Sequence, residues 1–150
     1  MAKDDLVITV RIAGLREVLS ALRRLPRDAD AEIRAAALDL AGDLARAAAA
    51  AGRLEGRQAA LVATTVKARK DRVPVISAGG SKKLGRNRRP AWKLLFGSEF
   101  GANRLEQYKP HLGQGSYWFF RTVEDEQVMI SAAWLSAADG ILARFGGNGG

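Results

Sequence analysis

The sequence predicts an α+β fold, with a small antiparallel or mixed sheet packed against a long alanine-rich helix and a C-terminal helix. Three observations predict it. Apolar residues keep helical spacing over 28–52, and again over 124–145. Three short β-branched runs, 6–12, 61–70 and 72–78, lie outside those stretches. The chain of 150 residues suits one domain, 1–150, with a core of its own.

In chain order, LVITVRI over 6–12 is β-branched with partial alternation and reads as a strand that Gly14 breaks. Leu15, Val18, Leu19, Leu22 and Leu25 then follow helical spacing to Pro26, which separates this short amphipathic helix from the long one. Within 28–52, Ile33, Ala37, Leu40, Leu44 and Ala47 share one face, with Leu38, Ala41, Ala45 and Ala48 on the adjoining face. Asp28 or Asp30 is placed to cap the start, Glu32 favours the positive end of the dipole, and Gly52 is placed to stop the helix. So small a set of side chains admits close packing, by a covering sheet or by a second copy of the chain.

After a turn-rich break at 52–56, LVATTVKARK over 61–70 alternates as a strand, and RVPVISA over 72–78 reads as its hairpin partner, turning near 70–72. Pro74 argues for an edge position or an imperfect strand. GGSKKLGRNRR over 79–89 reads as a flexible basic loop with little to bury. PAWKLLF over 90–96 suggests a helical turn, GSEFG over 97–101 is bracketed by glycine, and 103–115 is irregular and polar. SYWFFRTV over 116–123 reads as a strand or a tight buried connection. In the last helix, over 124–145, Glu124, Asp125 and Glu126 favour the N-terminus. Val128, Leu135, Ala138, Leu142 and Phe145 line one face of that helix, with Trp134 and Ile141 beside it. The glycines of 146–150 form a flexible tail.

The net charge of +8 is concentrated. Residues 53–93 hold twelve basic side chains against Glu55 and Asp71, a net of +10, so the remainder carries −2. Such a segment is built to meet a polyanion or an acidic protein surface. Its densest part supplies the candidate contacts with DNA or an acidic protein partner, set against a simply solvated loop: Lys82, Lys83, Arg86, Arg88 and Arg89. Trp92, Phe96, Phe100, Tyr117, Trp118 and Phe119 are candidate core or subunit-interface residues, and for Trp92 and Phe96 core packing is the better account because Leu94 and Leu95 lie among them.

Catalytic chemistry finds little support, and no enzyme activity, cofactor or metal is expected. There is no cysteine, and the single His111, between Pro110 and Leu112, reads as a loop histidine. Gly79-Gly80-Ser81-Lys82 lacks the spacing of a phosphate loop. Glu99 has no convincing acid–base partner and reads as a structural contact. No stretch reads as a membrane span, and the first residues do not resemble a signal peptide, so synthesis in the cytoplasm and no membrane partner are expected.

The order of segments is similar to that of a known family. A strand, a short helix and a long alanine-rich helix open the chain, and a basic strand-and-loop region follows. PAWKLLFGSEFGA and GQGSYWFFRTVEDE then lead to a last helix. This resembles the tail-component proteins of long-tailed bacteriophages, of the tail-completion, neck or tail-terminator type. The resemblance covers nearly the whole chain, and FGSEFG (96–101) and GSYWFFRTV (115–123) are its most specific parts. It implies a small structural α+β subunit at the head–tail junction of the virion, without cofactor. The implied partners are further copies of itself in a ring, expected to be hexameric, the neighbouring head–tail connector and tail-tube proteins, and packaged double-stranded DNA passing through the ring. The alternative reading is a non-specific nucleic-acid-binding protein that uses 53–93.

Overall fold

A computed structural model of the chain describes residues 7–101 and 117–146. Its elements are β1 (Val7–Arg11), α1 (Arg16–Arg23), α2 (Arg27–Glu55), α3 (Arg57–Ala63), β2 (Lys67–Arg69), β3 (Val75–Gly79), β4 (Lys83–Leu84), β5 (Arg89–Pro90), α4 (Ala91–Phe100) and α5 (Phe119–Phe145). The fold is α+β, a three-stranded antiparallel sheet of order β1-β3-β2 packed against the long helix and the C-terminal helix.

The long helix α2 has 29 residues, about 43 Å at helical rise. Its alanines do what small side chains allow: Ala29, Ala37, Ala41 and Ala48 are fully buried. Leu38, by contrast, points outward. Ala29, Ile33 and Ala37 cluster with Trp134, Ala138 and Ile141 of α5. Ala41, Leu44, Ala45 and Ala48 cluster with Phe119, Val123 and Ile130. Early α2 therefore meets late α5, and the two helices run antiparallel. An ion pair from Arg144 to Glu32, 2.8 Å, lies at one end of the pair.

Several expected boundaries move. Gly52 does not stop α2, which runs on to Glu55. Its role is close approach, because a Cβ there would sit 2.9 Å from the Trp118 ring. Neither Asp28 nor Asp30 caps α2. The carbonyl of Pro26 accepts from the N–H groups of Ala29 and Asp30, and Asp30 instead accepts from Arg34 Nε at 2.8 Å and Arg72 Nε at 2.5 Å. Leu61, Val62 and Ala63 belong to a short helix rather than to a strand, and the strand expected over 61–70 shrinks to Lys67–Arg69. Thr64 and Thr65 mark the change, each returning its hydroxyl to a carbonyl of the last helical turn.

The hairpin expectation holds, since Lys67 pairs with Ser77, Ala68 with Ile76 and Arg69 with Val75. The edge assignment does not. β3 is the central strand, with β1 on its other side. Pro74 sits just ahead of the strand, where its missing N–H breaks no rung, and its carbonyl accepts from Ile12 N at 2.9 Å. The basic stretch 79–89 is not simply a loop. β4 and β5 form a small antiparallel ribbon, with Leu84 buried beneath it and a turn using Gly85 (φ 74°) and Arg88 (φ 51°).

The C-terminal helix starts at Phe119, so SYWFFRTV is neither a strand nor a connection from end to end. Glu124, Asp125 and Glu126 fall in its second turn, too far in to serve its N-terminus. Past Glu126 only Asp139 and Arg144 carry charge. α5 is thus long and apolar enough to cross a membrane by length and composition, which corrects the expectation that no stretch is. Ile130, Trp134, Ala138 and Ile141 are buried inside the protein, whereas Val128, expected on the packed face, points outward. The irregular 103–115 segment, His111 and the tail beyond Gly146 lie outside the described residues.

Asp30 and Asp71 link the hairpin turn to α2 and β1. Hydrogen bonds from Arg34 and then Arg72 hold the Asp30 carboxyl below its ordinary value. Burial pushes the Asp71 carboxyl up, but the backbone N–H of Arg72 and the guanidinium of Arg11 more than offset it, and the net shift is downward. Both groups are depressed by folding, so their stabilisation is present above the unfolded value of about 3.9 and is lost as pH falls through the lower native values. Asp30→Asn is expected to cost about 1 kcal/mol at neutral pH, the scale of a partly exposed pair. It should also shrink the loss of stability below about pH 4, read from urea midpoints across pH.

Candidate functional site

The site begins with the two faces of α4. AWKLLFGSEF buries Ala91, Leu94, Leu95, Ser98 and Glu99, which leaves Trp92, Phe96 and Phe100 at steps of four on another face. Their rings form a row. Trp92 meets Phe96 edge-on at 6.4 Å, and Phe96 lies along Phe100 at 6.1 Å. Phe100 then lies along Phe120 of α5 at 6.1 Å. The row is not core, which corrects the core assignment of Trp92 and Phe96. Phe96 is 39% exposed and Trp92 is half-buried. Of the six candidate core or interface residues, Trp118 and Phe119 are core, Phe100 and Tyr117 are half-buried, and only Trp92 and Phe96 open onto a surface groove.

That groove lies between α3, the β4–β5 ribbon and α4, with a volume of about 1040 Å³. Leu61, Leu84, Leu94, Trp92 and Phe96 supply apolar surface. Arg57, Arg86, Arg89 and Lys93 supply four positive charges, and the Lys93 ammonium lies 5.4 Å from the Trp92 ring. Three separate stretches of sequence thus converge, and Arg57 and Lys93, at the flanks of the basic segment 53–93 rather than in its dense part, join Arg86 and Arg89.

The five candidate basic residues do not act as one patch. Arg86 and Arg89 line the groove. Lys82 lines a second, smaller pocket of about 290 Å³ with Lys67, Arg69, Ser81 and the Gly79–Gly80 backbone. Lys83 and Arg88 are exposed and line neither. Within the smaller pocket the Arg69 guanidinium donates to Ser77 Oγ at 2.9 Å, and the Gly79 N–H donates to Thr65 Oγ1 at 3.0 Å.

Behind the groove, Glu99 fixes α4 to α5. It is fully buried. Its carboxylate accepts from the backbone N–H groups of Trp118 (3.0 Å), Phe119 (2.7 Å) and Phe120 (2.6 Å), the opening residues of α5. Its own carbonyl accepts from Tyr117 N at 2.7 Å. The N-cap residue of α5 is Trp118, which offers no acceptor side chain. A carboxylate from another helix therefore satisfies the orphan donors and faces the positive end of the dipole. The Trp118 indole N–H donates to Ser98 Oγ at 3.0 Å, so adjacent residues of α4 hold both ends of the contact. FGSEFG and GSYWFFRTV are thereby joined through one carboxylate.

No protein-family model, curated protein or solved structure matches the chain.

Proposed function

We propose that the chain is a structural subunit of the head–tail junction of a long-tailed bacteriophage, a self-assembling ring component of the tail-completion, neck or tail-terminator type. The observation that carries an assembly role is the uncovered groove, in which the aromatic face of α4, a helix whose other face is locked into the core, is combined with four cations from α3, the β4–β5 ribbon and α4 itself. Exposed aromatic surface beside arginine is the composition of a macromolecular contact. The assignment to the junction rests on the resemblance of the segment order and of FGSEFG and GSYWFFRTV. In that setting the neighbours are connector and tail-tube proteins, and the exposed cations around Lys67, Lys82 and Lys83 are available to packaged DNA.

The second reading, non-specific nucleic-acid binding, is favoured by the same aromatic rings beside Arg86 and Arg89, since bases stack on aromatics while cations neutralise phosphates. The two readings separate by mass measured over a range of concentration and salt, with and without duplex DNA. The ring subunit is expected to reach one discrete oligomer whose mass ignores DNA. A monomer that binds DNA, and that loses about a hundredfold in affinity between 50 and 200 mM salt as four released counterions require, supports the second reading instead. A chain that stays monomeric with no DNA affinity overturns self-assembly.

A further inference from the structure

The groove has a complement on the same chain. On α5, Glu124 and Val128 are four residues apart, as are Asp125 and Met129, so an acidic residue precedes an apolar one in two adjoining columns on the solvent side. All four are exposed, Val128 by 75% and Met129 by 68%. Two carboxylates and two apolar tips are what a cleft with a Trp92 and Phe96 floor and an Arg86 and Arg89 rim would receive. Methionine is also well suited to an aromatic floor.

We propose that the Glu124–Met129 patch of one copy docks in the basic aromatic groove of the next, as the contact that closes the ring. The two surfaces are exposed on the same chain, so neither fills the other within one molecule. The proposed contact is heterologous: made head to tail rather than exchanged reciprocally across a two-fold axis, it leaves a free groove at one end of a pair and a free patch at the other. Such contacts form a ring where the rotation closes. The charges set register and speed encounter, and the apolar tips supply the desolvated centre. This rests on the ring reading above and specifies its interface.

The test uses charge reversal on two full-length variants, one with Arg57→Glu, Arg86→Glu, Arg89→Glu and Lys93→Glu, which turns the four positive charges of the groove negative, and one with Glu124→Lys and Asp125→Lys. All six positions are exposed, so both variants are expected to fold, with melting curves as the check. Each alone should associate at least about a hundredfold more weakly than the parent chain, because attraction becomes repulsion. Mixed in equal amounts they should assemble again, since every interface in an alternating ring then pairs opposite charges. Oligomers of the parent chain that survive either reversal overturn this interface and leave the ring reading standing. Loss in both variants without recovery on mixing shows that the two surfaces do not face each other, which also overturns it. A parent chain that never associates overturns the ring reading and this contact with it.

Discussion

Replacing Glu99 by alanine is expected to destabilise the protein by about 4 kcal/mol. The carboxylate satisfies three backbone donors, and it has no contact with solvent. Each buried N–H left unpaired costs about 1–3 kcal/mol, and the interaction with the helix dipole adds up to about 2 kcal/mol in a buried geometry. Part of this is recovered where water reaches the broken site, which brings the total to the scale of removing one member of a buried pair. For a chain of this size the melting temperature should fall by about 8–16 °C. Glu99→Gln keeps one acceptor but turns an amide donor toward the same N–H groups, so about half the loss should remain. Thermal and urea denaturation of both variants check this, and a loss below about 1 kcal/mol for Glu99→Ala contradicts the cap.

Trp134→Ala is the second large effect, at about 3–5 kcal/mol. The side chain is 2% exposed and clusters with Leu22, Ile33, Val73 and Val75. Its indole N–H donates to the Arg72 carbonyl at 2.7 Å, which pins the hairpin turn to α5. Gly14 lies so close that a Cβ there would sit 2.8 Å from the ring, so the chain is shaped around this residue. Alanine leaves a cavity and an orphaned carbonyl. Phenylalanine fills most of the space and loses the hydrogen bond, for about 1–2 kcal/mol. The difference between the two variants, read from urea midpoints, separates packing from hydrogen bonding.

The parts of this fold that were legible in the sequence are those governed by a long repeating pattern. Ile33, Ala37 and Leu44 keep the same face of α2 through three turns, and Ala138 and Ile141 do so near the end of α5. The start of α5 was hidden because its cap comes from Glu99, on another helix. A reader of GSYWFFRTV finds Trp118 where a capping side chain belongs, and the nearby acids Glu124 to Glu126 draw the boundary too late. Leu61, Val62 and Ala63 form too short an apolar run for periodicity to separate a helical turn from a strand. The ribbon at Lys83–Leu84 and Arg89–Pro90 buries only Leu84 and turns on a left-handed arginine, which no local residue preference announces.

The candidate site was legible in half. Charge density pointed to Arg86 and Arg89, and Trp92, Phe96 and Phe100 were named as core or subunit-interface candidates. The exposure of that aromatic face was not legible, because Leu94 and Leu95 between the rings suggested burial all round. Arg57 and Lys93 join the groove only through the folding of α3 beside α4, a relation that sequence distance conceals. The counterpart patch was hidden for the opposite reason. Val128 was placed on the packed face of α5, yet the true stripe runs through Ile130, Trp134 and Ile141. Val128 lies two residues, about 200° of helical rotation, from Ile130, so burying Ile130 turns Val128 and the acids near it toward solvent.

End-on electron micrographs of the purified protein test the central claim most directly. A closed ring with a central channel and a fixed number of subunits is the expected result. Compact two-fold dimers, open filaments or isolated monomers in the same fields would contradict it.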